Sequence, residues 1–231
     1  MEGSTPLGRI GVLAVQDVAV TPTLRHIELF TRSGLLTVLW HGPRDAAAAL
    51  VACGGAMGGL LGPSNGLFQH LGDVLGERGI ATLRVSYRRP NDLEACTVDA
   101  GAACEMAMAE GAREIVVMGH SFGGAVAVGC AAYAGEVVRG VVTLSTQSAG
   151  CEIAPMIADR ELLLIHGGRD EILPVWASEV VREMAGTGEL IVHPTAGHLL
   201  LECEAELKEL LPDWVARVLG AGIGRPGAGA R

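Results

Sequence analysis

A chain of 231 residues, about half of them apolar, has enough material for one sizeable buried core. Aromatics are only 3% of the residues, so that core must be built from Val, Leu, Ile and Ala, the composition of strands buried on both faces of a parallel sheet. A net charge of −9 keeps the chain soluble and excludes nucleic acid as a general partner, since phosphate binding needs a positive surface.

The first residues, Met1-Glu2-Gly3-Ser4-Thr5-Pro6, lack the basic and apolar regions of a secretion signal. The most apolar region, Ile115 to Leu144, is interrupted by His120, Ser121, Glu136 and Arg139, so no membrane span is expected. The cysteines Cys53, Cys96, Cys104, Cys130, Cys151 and Cys203 are scattered, without a C-x-x-C pair or zinc spacing. They read as reduced, buried thiols of a cytoplasmic protein that needs no metal.

In chain order, residues 8–43 read as two or three antiparallel strands: Ile10 to Val15, Leu24 to Phe30, and Leu35 to Trp40 after a turn at Ser33-Gly34. Their alternation gives one solvated face, as at the edge of a mixed sheet, and puts His26 and His41 on the surface. Ala47 to Cys53 is the first buried parallel strand and runs into Gly54-Gly55-Ala56-Met57-Gly58-Gly59. This loop has neither the Gly-Lys-Ser/Thr of a phosphate loop nor G-x-G-x-x-G. Residues 64–78 repeat apolar positions at helical spacing, with Ser64 as N-cap and His70 on the surface. Ile80 to Ser86 is the next strand. Tyr87 to Asp92 forms a loop in which Arg88 and Arg89 are expected to anchor to acidic neighbours. Asn91 or Asp92 opens a helix from Leu93 to Gly111.

Ile115 to Met118 is a buried strand that enters Gly119-His120-Ser121-Phe122-Gly123-Gly124, and a helix of small residues follows. A serine at such a strand-to-helix corner is held in a strained turn with its hydroxyl exposed, and the flanking glycines let strand, turn and helix approach closely. Val137 to Ser145 is another strand. Only about fifteen residues, Thr146 to Arg160, separate it from Glu161 to Ile165, too few for a large lid. His166-Gly167-Gly168-Arg169-Asp170 follows, with Pro174 opening a helix from Val175 to Met184. Gly186 to Gly188 is a turn, Leu190 to Val192 the last strand, and Pro194 to His198 the loop after it. Leu199 to Leu219 is a closing amphipathic helix. Residues 1–219 thus read as a single domain, and the glycine-rich stretch 220–231 as a disordered tail.

The Gly-x-Ser-x-Gly corner, the His-Gly-x-x-Asp turn and the later His198 resemble, in that order, the nucleophile elbow, acid turn and base loop of the α/β-hydrolases. Within that family the chain is similar to small lidless serine esterases of the dienelactone-hydrolase-like type, although dienelactone hydrolases proper have a cysteine where this chain has Ser121. The resemblance implies an α/β fold: a mostly parallel twisted sheet of about eight strands with helices on both faces, antiparallel strands at the N-terminal edge and no large lid. It also implies a catalytic set of Ser121, Asp170 and His198, each just past the end of a strand. Glu171 adjoins Asp170 as a rival acid, Ser145 and Thr146 are rival nucleophiles without an elbow, and His166 and His193 are rival bases. An oxyanion hole is expected from the N–H of Phe122 and of either Gly55 or Ala56, with Cys53 where the family often has histidine. Met57, Leu173 and Trp176, and Phe122 itself, are candidates to line the substrate pocket. The implied activity is hydrolysis of a small acyl ester through an acyl-serine, without cofactor. The alternatives are a thioester substrate on the same machinery, or a non-catalytic binding scaffold, which fluorophosphonate labelling of Ser121 would separate from an enzyme.

Overall fold

The computed structural model describes residues 5–220, so all of the expected tail except Gly220 lies outside the described residues. Three strands, β1 (Val12–Thr21), β2 (Leu24–Thr31) and β3 (Gly34–His41), make an antiparallel ribbon at one edge. β3 pairs antiparallel with β5 (Ala81–Ser86), which pairs parallel with β4 (Ala48–Cys53). Parallel pairing continues through β6 (Glu114–His120), β7 (Val138–Leu144), β8 (Glu161–Gly167) and β9 (Glu189–His193). The result is one nine-stranded sheet in the order β1-β2-β3-β5-β4-β6-β7-β8-β9, against about eight strands expected.

Central strands such as Ala48–Cys53 are buried at every position because helices cover both faces. On one side, Val51, Cys53, Val117 and Val141 meet α1 (Pro6–Ile10), α3 (Leu93–Glu110), α4 (Phe122–Ala134) and α5 (Trp176–Ala185). On the other, Leu50, Ala52, Met118 and Val142 meet α2 (Pro63–Glu77) and α6 (Glu204–Val218). Small residues let α4 lie close to the sheet. A Cβ at Gly124 would come within 2.2 Å of Thr146 Oγ1. Residues 145–160 between β7 and β8 hold only a short 3-10 turn, Ala154–Ile157, so no helical lid is inserted there. No described helix is long and apolar enough to cross a membrane.

Four local expectations are corrected. Ile10 ends the short helix α1, capped by the Thr5 side chain, and the first strand begins only at Val12. Ser64 is not an N-cap: it has a left-handed φ of 49° and its hydroxyl donates to the Leu200 carbonyl at 2.7 Å, tying α2 to the loop after β9. His41 is buried, because Gly72 of α2 leaves a gap that the imidazole fills; a Cβ there would lie 2.5 Å from the ring. Leu199 and Leu200 precede the last helix as a turn, since Leu200 is left-handed (φ 54°), and α6 starts at Glu204. The two arginines after β5 are anchored as expected. Arg88 Nε donates to the fully buried Asp99 at 2.5 Å, and Arg89 lies 3.3 Å from Asp92.

Candidate active site

Ser121 stands between the end of β6 and the start of α4 with φ 57° and ψ −122°. For a residue with a Cβ this costs on the order of 1–3 kcal/mol and persists only where the surroundings enforce it. They do. The Ser121 N–H donates to the Leu144 carbonyl at 2.8 Å, and its own carbonyl accepts from Gly124 N–H at 2.9 Å. A Cβ at Gly119 would meet Gly123 O at 1.8 Å, and one at Gly123 would meet Gly54 O at 2.3 Å, so only glycine fits on either side. Ser121 is half-buried, whereas the rival hydroxyls Ser145 and Thr146 are fully buried.

Asp170 and His198, on loops after β8 and β9, meet directly: His198 Nδ1 donates to Asp170 Oδ2 at 2.7 Å. The other carboxylate oxygen accepts the N–H groups of Ile172 (2.9 Å) and Leu173 (2.8 Å). Burial alone would raise the Asp170 carboxyl, but the donors from Leu173, His198 and Ile172 outweigh it and hold it below the ordinary value. It is therefore an anion whose lone pairs are already directed. The neighbouring Glu171 is exposed. His166 is fully buried; its Nε2 donates to Leu173 O at 3.0 Å and its Nδ1 accepts from Ser178 Oγ at 2.7 Å, so it shapes the Asp170 turn, as its position in that turn suggests. His193 works through its backbone carbonyl, which accepts from Gly168 and Ala196.

No hydrogen bond links the Ser121 hydroxyl to the His198 ring among the described residues; the bridge is His120, one residue away. Its Nε2 donates to the His198 carbonyl at 3.0 Å, and the two rings lie 4.9 Å apart. Burial pushes the His120 imidazole down to about 4, so it is neutral near pH 7. Sequence reasoning passed over His120 because its place inside the serine motif does not tell which way the ring points. Glu202 is a second such residue, accepting the Gly197 N–H at 3.1 Å beside His198.

The glycine loop after β4 closes as a turn, Gly58 N–H donating to Gly55 O at 2.8 Å. Gly55 borders the serine: a Cβ built on it would lie 3.8 Å from Ser121 Cβ. Ala56, the other candidate donor, is half-buried against the core. Phe122 is the first residue of α4, where backbone N–H groups have no intrahelical partner. Its ring, a candidate for pocket lining, is buried and packs edge-on against Tyr87 with centroids 6.4 Å apart. The Tyr87 hydroxyl donates to Gly54 O at 3.0 Å. Cys53 ends β4 fully buried, and burial raises its thiol well above the usual range, so it is a packing residue.

Of the other proposed lining residues, Met57 is 92% and Trp176 55% exposed, while Leu173 is half-buried and bound into the Asp170 turn through its backbone. Two cavities of about 860 Å³ lie elsewhere, one along β1 and one lined by Arg139, Arg160, Glu189 and Arg217. Met57 and Trp176 are mostly in solvent, while Ser121 itself is half-buried. No group of three or more His, Cys, Asp or Glu residues suited to a metal ion occurs among the described residues.

No family model matches the sequence, and no curated protein is significantly similar to it. Among solved structures, the chain is similar to a dienelactone hydrolase from Anabaena variabilis at 20% identity and TM-score 0.71, covering 88% of this chain and 98% of that one. It is similar to Est1E from Butyrivibrio proteoclasticus at 16% identity and TM-score 0.70, covering 84% and 99%. An α/β serine hydrolase homologue from Coxiella burnetii gives 19% identity and TM-score 0.68, covering 84% and 99%. At such identities the likeness is one of architecture, and in architecture this chain is an α/β-hydrolase-fold protein.

Proposed function

We propose that the protein is a serine hydrolase that cleaves small carboxylic esters through an acyl-serine intermediate. The observation that carries this reading is a strained serine corner at the same sheet edge as an aspartate-bound histidine. A serine hydroxyl is a weak nucleophile at neutral pH and needs a neutral imidazole to take its proton as it attacks. With Nδ1–H committed to Asp170, His198 has Nε2 free for that proton. The reaction requires the serine hydroxyl to come within hydrogen-bond reach of that nitrogen in the substrate complex. The negative charge that develops on the carbonyl oxygen is met by the N–H of Phe122 and by that of Gly55 or Ala56. Gly55, beside Ser121, has the better claim. His198 then gives its proton to the leaving alkoxide, and water repeats the sequence to release the acid. Est1E and the dienelactone hydrolase share the fold, which accommodates this chemistry without selecting it.

The test is hydrolysis of p-nitrophenyl esters from acetyl to decanoyl by the wild type and by Ser121→Ala. The substitution is expected to lower turnover about 10⁴–10⁶-fold. Equal rates in both proteins would overturn the assignment. The chain-length optimum reports how much of the acyl group the site holds.

A further inference from the structure

We propose that the chain forms a two-fold homodimer by antiparallel pairing of β1 with β1 of a second copy, centred on Gln16, so that two nine-stranded sheets become one. β1 is ten residues long, forms one end of the sheet, and is exposed at every position except the half-buried Val12. An edge strand offers a row of unused backbone N–H and C=O groups, and monomeric proteins blunt such edges with lysine, proline or short length. β1 has no lysine and no proline; Leu13, Val15, Val18 and Val20 on it are 46–63% exposed. Register irregularities occur only toward its two ends, leaving Ala14 to Ala19 regular.

Its one charge is cancelled. Asp17 is held by Arg25 at 2.7 Å and Arg44 at 3.2 Å, and Arg44 also pairs with Glu110. Two positive and two negative charges make the edge locally neutral, despite the net charge of −9 on each chain. A second copy therefore meets no local repulsion, whereas a lysine-edged or strongly charged strand gains nothing here.

Two-fold symmetry further limits the register. The axis must pass through a residue that faces its own copy, since directly opposed pairs alternate in type along an antiparallel ladder. Centring on Asp17 would oppose two carboxylates, which is unfavourable. Centring on Val15 would pair only Val12 to Val18 and leave Ala19, Val20 and Thr21 without partners. Centring on Gln16 opposes Val12 to Val20, Leu13 to Ala19, Ala14 to Val18 and Val15 to Asp17, whose carboxylate is held by Arg25 and Arg44, with the Gln16 amides facing each other. Pairing of this length covers on the order of 600 Å² per partner, the low end for a specific interface. Assembly is thus expected at micromolar chain concentration, with dissociation on dilution.

Sedimentation of the full chain at 1–100 μM should show a species of twice the 23.8 kDa of one chain. The double variant Ala14→Lys/Val18→Lys puts lysines opposite one another and should weaken assembly at least about 100-fold, with a melting temperature equal to the wild type's at dilutions where both are monomers, because both sites are exposed. Gln16→Cys should cross-link the dimer under mild oxidation, since opposed Cα atoms lie about 4.5–5.5 Å apart, within disulfide range. Ala19→Cys should not, its mate being about 20 Å away at 3.4 Å per residue. The native cysteines are all buried, which keeps the background low. A monomer at 100 μM, a dimer indifferent to the lysines, or cross-linking at position 19 in place of 16 would each overturn the proposal.

Discussion

Replacing Asp170 by asparagine tests the proposed site most directly, because the substitution keeps the shape and changes only which atoms donate. In the wild type, Oδ1 accepts two backbone N–H groups, from Ile172 and Leu173, and Oδ2 accepts His198 Nδ1–H. An asparagine has one acceptor oxygen and one NH₂ group. Aiming the NH₂ at the two backbone donors would leave both unpaired, at about 1–3 kcal/mol each, so the oxygen stays with them. The NH₂ then faces His198, whose Nδ1 must become the acceptor and whose Nε2 must carry the proton. In that tautomer Nε2 cannot take the serine proton. The expected loss is about 10⁴-fold in kcat, equivalent to about 5.5 kcal/mol of barrier. It should appear in stopped-flow or steady-state p-nitrophenyl acetate hydrolysis at pH 7.5, with KM little changed and the far-UV spectrum intact. A loss below tenfold with a folded protein would refute the assignment of Asp170 and His198.

Other expectations follow from the same geometry. His120 titrates near 4 when folded and near 6.5 when unfolded, so its stabilising effect is complete above about pH 6.5 and is lost as pH falls toward 4. Urea unfolding should show roughly 3 kcal/mol of stability lost over that window from this group, a slope that His120→Gln removes. Gly123→Ala drives a methyl into the carbonyls of Gly54 and Cys53, at 2.3 and 2.4 Å, and should destabilise by about 3 kcal/mol or more. Gly55→Ala, whose nearest neighbour is 3.8 Å away, should leave the melting temperature within a few degrees; thermal melts of the pair decide this. Arg88→Ala strands the fully buried Asp99 carboxylate and should cost about 3–5 kcal/mol, measured by chemical denaturation.

Much of this arrangement could be read from the chain because its signals are local. A β-branched run ending in Gly-x-Ser-x-Gly specifies a strand, a strained corner and a helix within fifteen residues, and the order Ser121, Asp170, His198 follows from strand ends. What escaped reading depends on contacts distant in sequence. His41 looked like a surface residue of an alternating strand because nothing nearby reveals that Gly72, on a later helix, makes room for it. Ser64 resembled a cap because the sequence does not show Leu200 arriving beside it. The length of β1 was underestimated since both its faces are exposed, and periodicity registers a strand only where burial alternates.

Tyr87 touches both segments that border Ser121: its hydroxyl holds the Gly54 carbonyl, and its ring meets the edge of Phe122. One core side chain thereby couples the two segments that the proposed reaction uses as oxyanion donors, so on that reading their spacing is fixed by the core. In the proposed reaction, the reorganisation that a flexible surface would need at each turnover would be completed beforehand. On the same reading, sequence change at the exposed Met57 or Trp176 would leave that spacing untouched, because it is held by the buried Tyr87.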